Sequence, residues 1–178
     1  MNTMPKARRV RPEWVVVRAF AAAILVGTCV LCLPLCSRSG GWTPPLTALF
    51  TATSATCVTG LSVVAIADHF SRAGQWAILG MIQVGGLGIM TFGTFLLIMA
   101  GRRLGLQDEF VLINSMGFDR ISGLPSLLKR AVFFTAAFEL AGTAILAVRL
   151  HGWHGLPAPA ALYSAFFHSV SAFCNAGF

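Results

Sequence analysis

Two short runs of small and hydroxylated side chains hold the residues best placed to do chemistry: "TALFTATSATCVTGL" at 47–61 and "SAFFHSVSAFCNAGF" at 164–178. Each run contains Cys-x-x-Gly, as Cys57, Val58, Thr59 and Gly60 in the first and Cys174, Asn175, Ala176 and Gly177 in the second. Overlaid without gaps at an offset of 117, they match Ala48 with Ala165, Phe50 with Phe167, Ser54 with Ser171, Ala55 with Ala172, Cys57 with Cys174 and Gly60 with Gly177. Six identities in fourteen columns, each time after an apolar span and a Pro-marked turn, outweigh a chance likeness between low-complexity runs. With such small side chains, the group left to bind anything is the main chain. Carbonyl oxygens at a glycine turn can replace the water shell of a cation, and small neighbours let several such turns crowd one axis.

Other chemistry finds little support. There is no Ser/His/Asp or HExxH arrangement, no P-loop and no pair of intramembrane carboxylates, so an enzyme is not expected. His69, His151, His154 and His168 have no metal-ligand spacing; His168 takes the place of Thr51 in the overlay and reads as a packing or hydrogen-bonding residue. Cys29, Cys32 and Cys36 fall at helical spacing with no neighbouring His or carboxylate, and read as small apolar packing residues. No cofactor is expected in this chain, and no metal beyond an ion on the filter backbone.

The elements that must position these turns are membrane helices. The chain is 56% hydrophobic and 11% charged, against about 25% charged in a soluble domain. Three stretches, 14–35, 76–100 and 131–150, are long and apolar enough to cross a bilayer, which takes roughly 20 residues each. A cleaved signal peptide is the competing reading of the N-terminus, but the apolar run is too long and shows no clear cleavage site. The net charge of +7 is an address and not a nucleic-acid site. Lys6, Arg8, Arg9, Arg11, Arg18, Arg102, Arg103, Arg120, Lys129 and Arg130 fall inside if the N-terminus is cytoplasmic, leaving Arg38, Arg72 and Arg149 outside.

Between the first two spans, Thr43 is expected to cap a short helix at 46–56 with Pro44 and Pro45 at its start. That helix is too short to span. To keep Arg102 and Arg103 inside, it must enter and leave on the outer face, which aims its partly negative C-terminus at the membrane interior. Non-helical backbone at that depth requires burial in protein or a watery path.

Glu139, in the third span, is either a hydrogen-bonding partner for a neighbouring helix or a secondary functional acid; the structural role is preferred. Gly80, Gly85, Gly86, Gly88 and Gly93, with Gln83 among them, give the second span a surface for close packing. The polar stretch 101–130 reads as a cytoplasmic connector with a short helix near 107–115, where a regulatory subunit could dock.

"TATSATCVTGLSVV", "IQVGGLGIMTFG" and "FHSVSAFCNAGF" together resemble the Trk/Ktr/HKT superfamily of potassium transporters, and most of all the bacterial Ktr-type membrane subunit. The resemblance runs from about Trp14 onward. It implies an all-α integral membrane fold of membrane-pore-membrane repeats with re-entrant, potassium-channel-like pore helices, four repeats around one ion path. On that basis 1–13 is a basic cytoplasmic tail, 14–100 the first repeat, 101–130 a connector, and 131–178 a second repeat cut off at its filter. The resemblance also implies that the chain is an N-terminal fragment of a longer protein.

Carried over residue by residue, the filter is Cys57, Val58, Thr59 and Gly60 with Cys174, Asn175, Ala176 and Gly177. Gly60 stands where some plant relatives have serine and favour sodium, so potassium is the implied substrate, with sodium as a possible co-ion. Ala65 stands where many relatives carry an aspartate, a departure at the outer mouth. Partners implied are the lipid bilayer of a bacterial plasma membrane, a cytosolic nucleotide-binding ring subunit and a second copy of the intact protein. The alternatives are a secondary transporter of another solute, built on broken helices, or a fragment with no activity of its own.

Overall fold

The computed structural model describes residues 12–101 and 124–178. Residues 1–11 of the basic tail and 102–123 of the connector, with its expected helix at 107–115, lie outside the described residues; the connector's last residues, 124–130, already belong to the helix that begins at Leu124.

Helix α1 (Pro12–Cys32) opens on a proline, tolerated where an N–H would have no partner. It stops because Leu33 precedes Pro34, and the proline ring pushes its neighbour to extended angles (φ −65°, ψ 142°). A single 3₁₀ turn, Pro34–Cys36, follows. Helix α2 (Pro45–Thr56) starts with Pro44 as its N-cap and Pro45 at its first position, so α1 is shorter at its C-terminal end than expected and α2 starts one residue earlier. Thr43 makes no cap bond; it is buried, and its hydroxyl lies 3.4 Å from His69 Nε2. After the turn at 57–60 come a four-residue helix α3 (Ile66–His69), the long α4 (Arg72–Gly101), α5 (Leu124–His154) and α6 (Ala158–Phe173). All the described secondary structure is helical apart from one isolated bridge between Ser37 and Phe70.

Length separates these helices into two kinds. At 1.5 Å per residue, α4 and α5 run about 45 Å, whereas α2 and α6 run only about 18 and 24 Å, short of a hydrocarbon core of about 30 Å. Among the residues whose side chains are described, one stretch, Lys129–Trp153, is both long and apolar enough to cross a membrane.

Packing follows small residues. Ala48, Ala52 and Ala55 form a fully buried stripe on α2. Gly27 of α1 meets that helix at Ala52, and a Cβ there would also strike the Met81 sulfur. Leu31, Phe70, Ile78 and Ile82 fill the space around them. Cys29, by contrast, is exposed, Cys32 half-buried and Cys36 buried, so the three cysteines do not share one environment. Burial pushes the Cys36 thiol up, away from the thiolate a metal would need.

The two ends of the hairpin between α1 and α4 are tied together. Ser71 donates its amide to the Cys36 carbonyl at 2.8 Å and its hydroxyl to the Leu35 carbonyl at 2.6 Å, and Arg38 N bonds the His69 carbonyl at 2.9 Å. Gly74 packs so closely under the Cys36 carbonyl that a Cβ would collide with its oxygen. The end of α1 and the start of α4 therefore stand at one level, with α2 and its turn between them.

Candidate functional site

Both short helices end in the same way. Cys57 is the C-cap of α2; Val58 after it takes a left-handed φ of 57° and donates to the Ala55 carbonyl, while Thr59 N donates to the Ser54 carbonyl at 2.9 Å. In the second run Cys174 caps α6, Asn175 has φ 59° and donates to Ala172, and Ala176 N bonds the Ser171 carbonyl at 2.7 Å. These are paired Schellman endings, residue for residue along the sequence overlay. Gly60 and Gly177 then return to positive φ, 74° and 75°. Asparagine visits this region readily, but a β-branched valine at φ 57° is held there against its preference.

The caps use up the amide hydrogens and leave the oxygens. N–H groups of Cys57, Val58, Thr59, Cys174, Asn175 and Ala176 all point back into their helices. Among the described residues, no hydrogen bond is donated to the carbonyl of any residue in 57–60 or 174–177. Eight main-chain oxygens thus remain for another partner.

The two turns touch through backbone. A Cβ on Gly60 would strike the Ala176 carbonyl oxygen and sit 3.2 Å from the Gly177 Cα. Helix α4 supports both turns from behind: a Cβ on Gly85 would collide with the Thr56 carbonyl group, and one on Gly86 would lie 2.7 Å from Cys174 Sγ. Gly85 stands thirteen residues into α4, about 20 Å along its axis from the tied N-terminal end. Both turns therefore sit roughly halfway down α4. On the side of the α4 N-terminus, a cavity of about 930 Å³ opens next to Gly60 and Gly177, lined also by Arg72, Gln75, Tyr163 and His168. Tyr163 donates to Gln75 Oε1 at 2.7 Å, and the Arg72 guanidinium lies 3.7 Å above the Tyr163 ring.

Glu139 is buried in α5, and Gln83 Nε2 donates to both of its carboxylate oxygens at 2.8 Å. Its own carbonyl accepts the hydroxyls of Thr143 (2.6 Å) and Ser169 (2.7 Å). His168 is exposed, with Nδ1 2.7 Å from the Ser164 carbonyl oxygen.

Sequence reasoning brought the two glycine turns together but missed what holds them. Ser54 and Ser171 are cap acceptors, and the Ser171 hydroxyl also accepts from Phe178 N and donates to the Phe178 carbonyl. The Gly85–Gly86 pair was visible in "IQVGGLG"; that each glycine serves a different turn was not.

The sequence pattern of the TrkH family, described as a cation transport protein, matches residues 8–178. The chain is 38% identical to Ktr system potassium uptake protein B of Bacillus subtilis and to the protein of the same name from Vibrio alginolyticus, over 96% and 97% of its length. It is 35% identical to the potassium/sodium uptake protein NtpJ of Enterococcus hirae over 96% of its length. It spans 37%, 37% and 38% of those relatives in turn, just over a third of each. All three are named as uptake proteins, not enzymes.

Proposed function

We propose, for a chain that belongs to the TrkH family of cation transport proteins, that its two Cys-x-x-Gly turns form part of a potassium path lined by main-chain oxygens. The observation that carries this reading is the set of eight carbonyls at 57–60 and 174–177 that accept no hydrogen bond among the described residues. Along each turn φ alternates in sign, which faces successive amide hydrogens one way and carbonyls the other. The hydrogens of the first three residues of each turn are taken by the helix caps. The oxygens are left at the partly negative ends of α2 and α6, and that of Ala176 lies against Gly60 of the other turn.

The hairpin geometry supports a re-entrant segment. Its ends are tied at one level by Ser71 and Cys36, and its tip reaches about halfway down α4. Pro44 and Pro45 stand at the start of a short helix and not inside a long one, which favours this reading over a broken-helix solute transporter. In the whole protein, further repeats complete the ring, the N-terminus faces the cytoplasm of a bacterial cell, and the connector at 101–130 meets a cytosolic nucleotide-binding ring subunit. That protein works as a homodimer, with sodium as a co-ion.

The test is growth at low potassium of a bacterial strain lacking its own uptake systems, rescued by the full-length protein. Gly60→Ser is expected to abolish rescue or admit sodium. Rescue with unaltered selectivity removes Gly60 from the path. Labelling that finds 56–61 in lipid, as part of a continuous crossing helix, overturns the reading altogether.

A further inference from the structure

The two turns share a backbone conformation but are held differently. Cys57 is exposed, and among the described residues its side chain has no polar partner. Cys174 is buried and donates its thiol hydrogen to Gln83 Oε1 at 3.2 Å, while Gln83 Nε2 reaches both oxygens of Glu139. Three helices thus contribute to one polar chain: Glu139 from α5, Gln83 from α4 and Cys174 at the end of α6.

We propose that Glu139 and Gln83 are positioning residues for the second turn, setting through Cys174 where the carbonyls of 174–177 stand and hence which alkali cation they fit. This rests on the transport reading above. The direction of the chain follows from donor chemistry. A carboxylate offers acceptors, so the Gln83 amide nitrogen must face it, and the amide oxygen is left for the thiol. The two-pronged contact fixes the amide plane. Ser169 and Thr143, both on the Glu139 carbonyl, fix the backbone that carries the carboxylate. Gly86, one turn along α4 from Gln83, lets the thiol come close to the helix, since a Cβ there would lie 2.7 Å from Cys174 Sγ. A buried carboxyl and a half-buried amide that served only to pack helices would be poorer than apolar groups of similar shape. Here the chain ends on the first residue of the turn, where a shift of the side chain moves the strand.

The experiment uses the full-length protein in lipid vesicles, comparing potassium with sodium flux at equal protein incorporation. Gln83→Met and Cys174→Ala are each expected to lower the potassium-to-sodium ratio by about 3- to 10-fold, the effect of one ordinary hydrogen bond. Cys174→Ser, which keeps a donor, recovers most of that loss, and the double variant is no worse than Gln83→Met alone. Wild-type ratios in both single variants, or losses that multiply in the double variant, overturn the proposal.

Should Gln83→Met fail to reach the membrane, the S–H stretch of Cys174 is read as the infrared difference between wild type and Cys174→Ser. A band shifted down as for a bonded thiol is expected; a band at the free-thiol position overturns the proposal. A wild-type protein that carries no cation sinks the transport reading and this inference with it. Selective wild-type flux with unmoved variants sinks this inference alone.

Discussion

Gly60 and Ala176, 116 residues apart in sequence, meet backbone to backbone: the glycine has no room for a Cβ because the Ala176 carbonyl oxygen occupies the place. Gly60→Ala would meet that oxygen and a disfavoured φ of 74° together. The left-handed angle alone costs about 1–2 kcal/mol, and the collision must also shift the second turn. Gly40 supplies the control, since its φ is 71° but nothing lies within 4 Å of its Cβ position. Gly40→Ala is expected to lower stability by about 1 kcal/mol and leave cation flux unchanged, while Gly60→Ala impairs flux. Equal flux in both variants would show that the contact between the turns is idle.

Two glycines of α4 make a second matched pair. Gly80 faces open space, whereas a Cβ on Gly85 would collide with the Thr56 carbonyl group. Gly80→Ala should stabilise by up to about 1 kcal/mol through helix propensity. Gly85→Ala should destabilise by about 1–3 kcal/mol through overpacking. Thermal unfolding in detergent separates the two, and melting shifts of the same sign would contradict the packing described for α4.

Val58 holds a left-handed angle that a β-branched side chain resists. Val58→Gly is expected to raise stability by about 1 kcal/mol, and Asn175→Gly by less, since asparagine tolerates the region. A lower melting temperature for Val58→Gly would mean that valine packing outweighs the angle.

Thr56 is fully buried, and among the described residues its hydroxyl has no hydrogen-bond partner. Replacing it with valine of the same shape removes a buried unsatisfied group. The change should be neutral or stabilising by about 1 kcal/mol. A loss greater than that, read by the same unfolding assay, would reveal a partner for the hydroxyl.

The helices were legible because their signals are local. Pro45 and Pro159 open the short helices and apolar length marks the long ones, although the expected first span runs to residue 35, past the Pro34 before which α1 ends. The two turns were legible through repetition, as Cys-x-x-Gly at a fixed offset. Polar contacts between distant segments were not. Gln83 looked like one polar residue in a glycine-rich span, and only the approach of α5 and α6 gives it Glu139 on one side and Cys174 on the other. Thr43 carried a cap signal, yet His69, 26 residues on, lies within reach of its hydroxyl. Positive φ at Val58 could not be read from composition at all, because valine is among the residues least suited to it.

Neighbouring residues on a helix point about 100° apart, and Gly85 and Gly86 press on different turns. A small axial rotation of α4 would therefore push against one turn while withdrawing from the other. The rod cannot relax both at once, so its angle ties the fit of the two halves into a single mechanical setting.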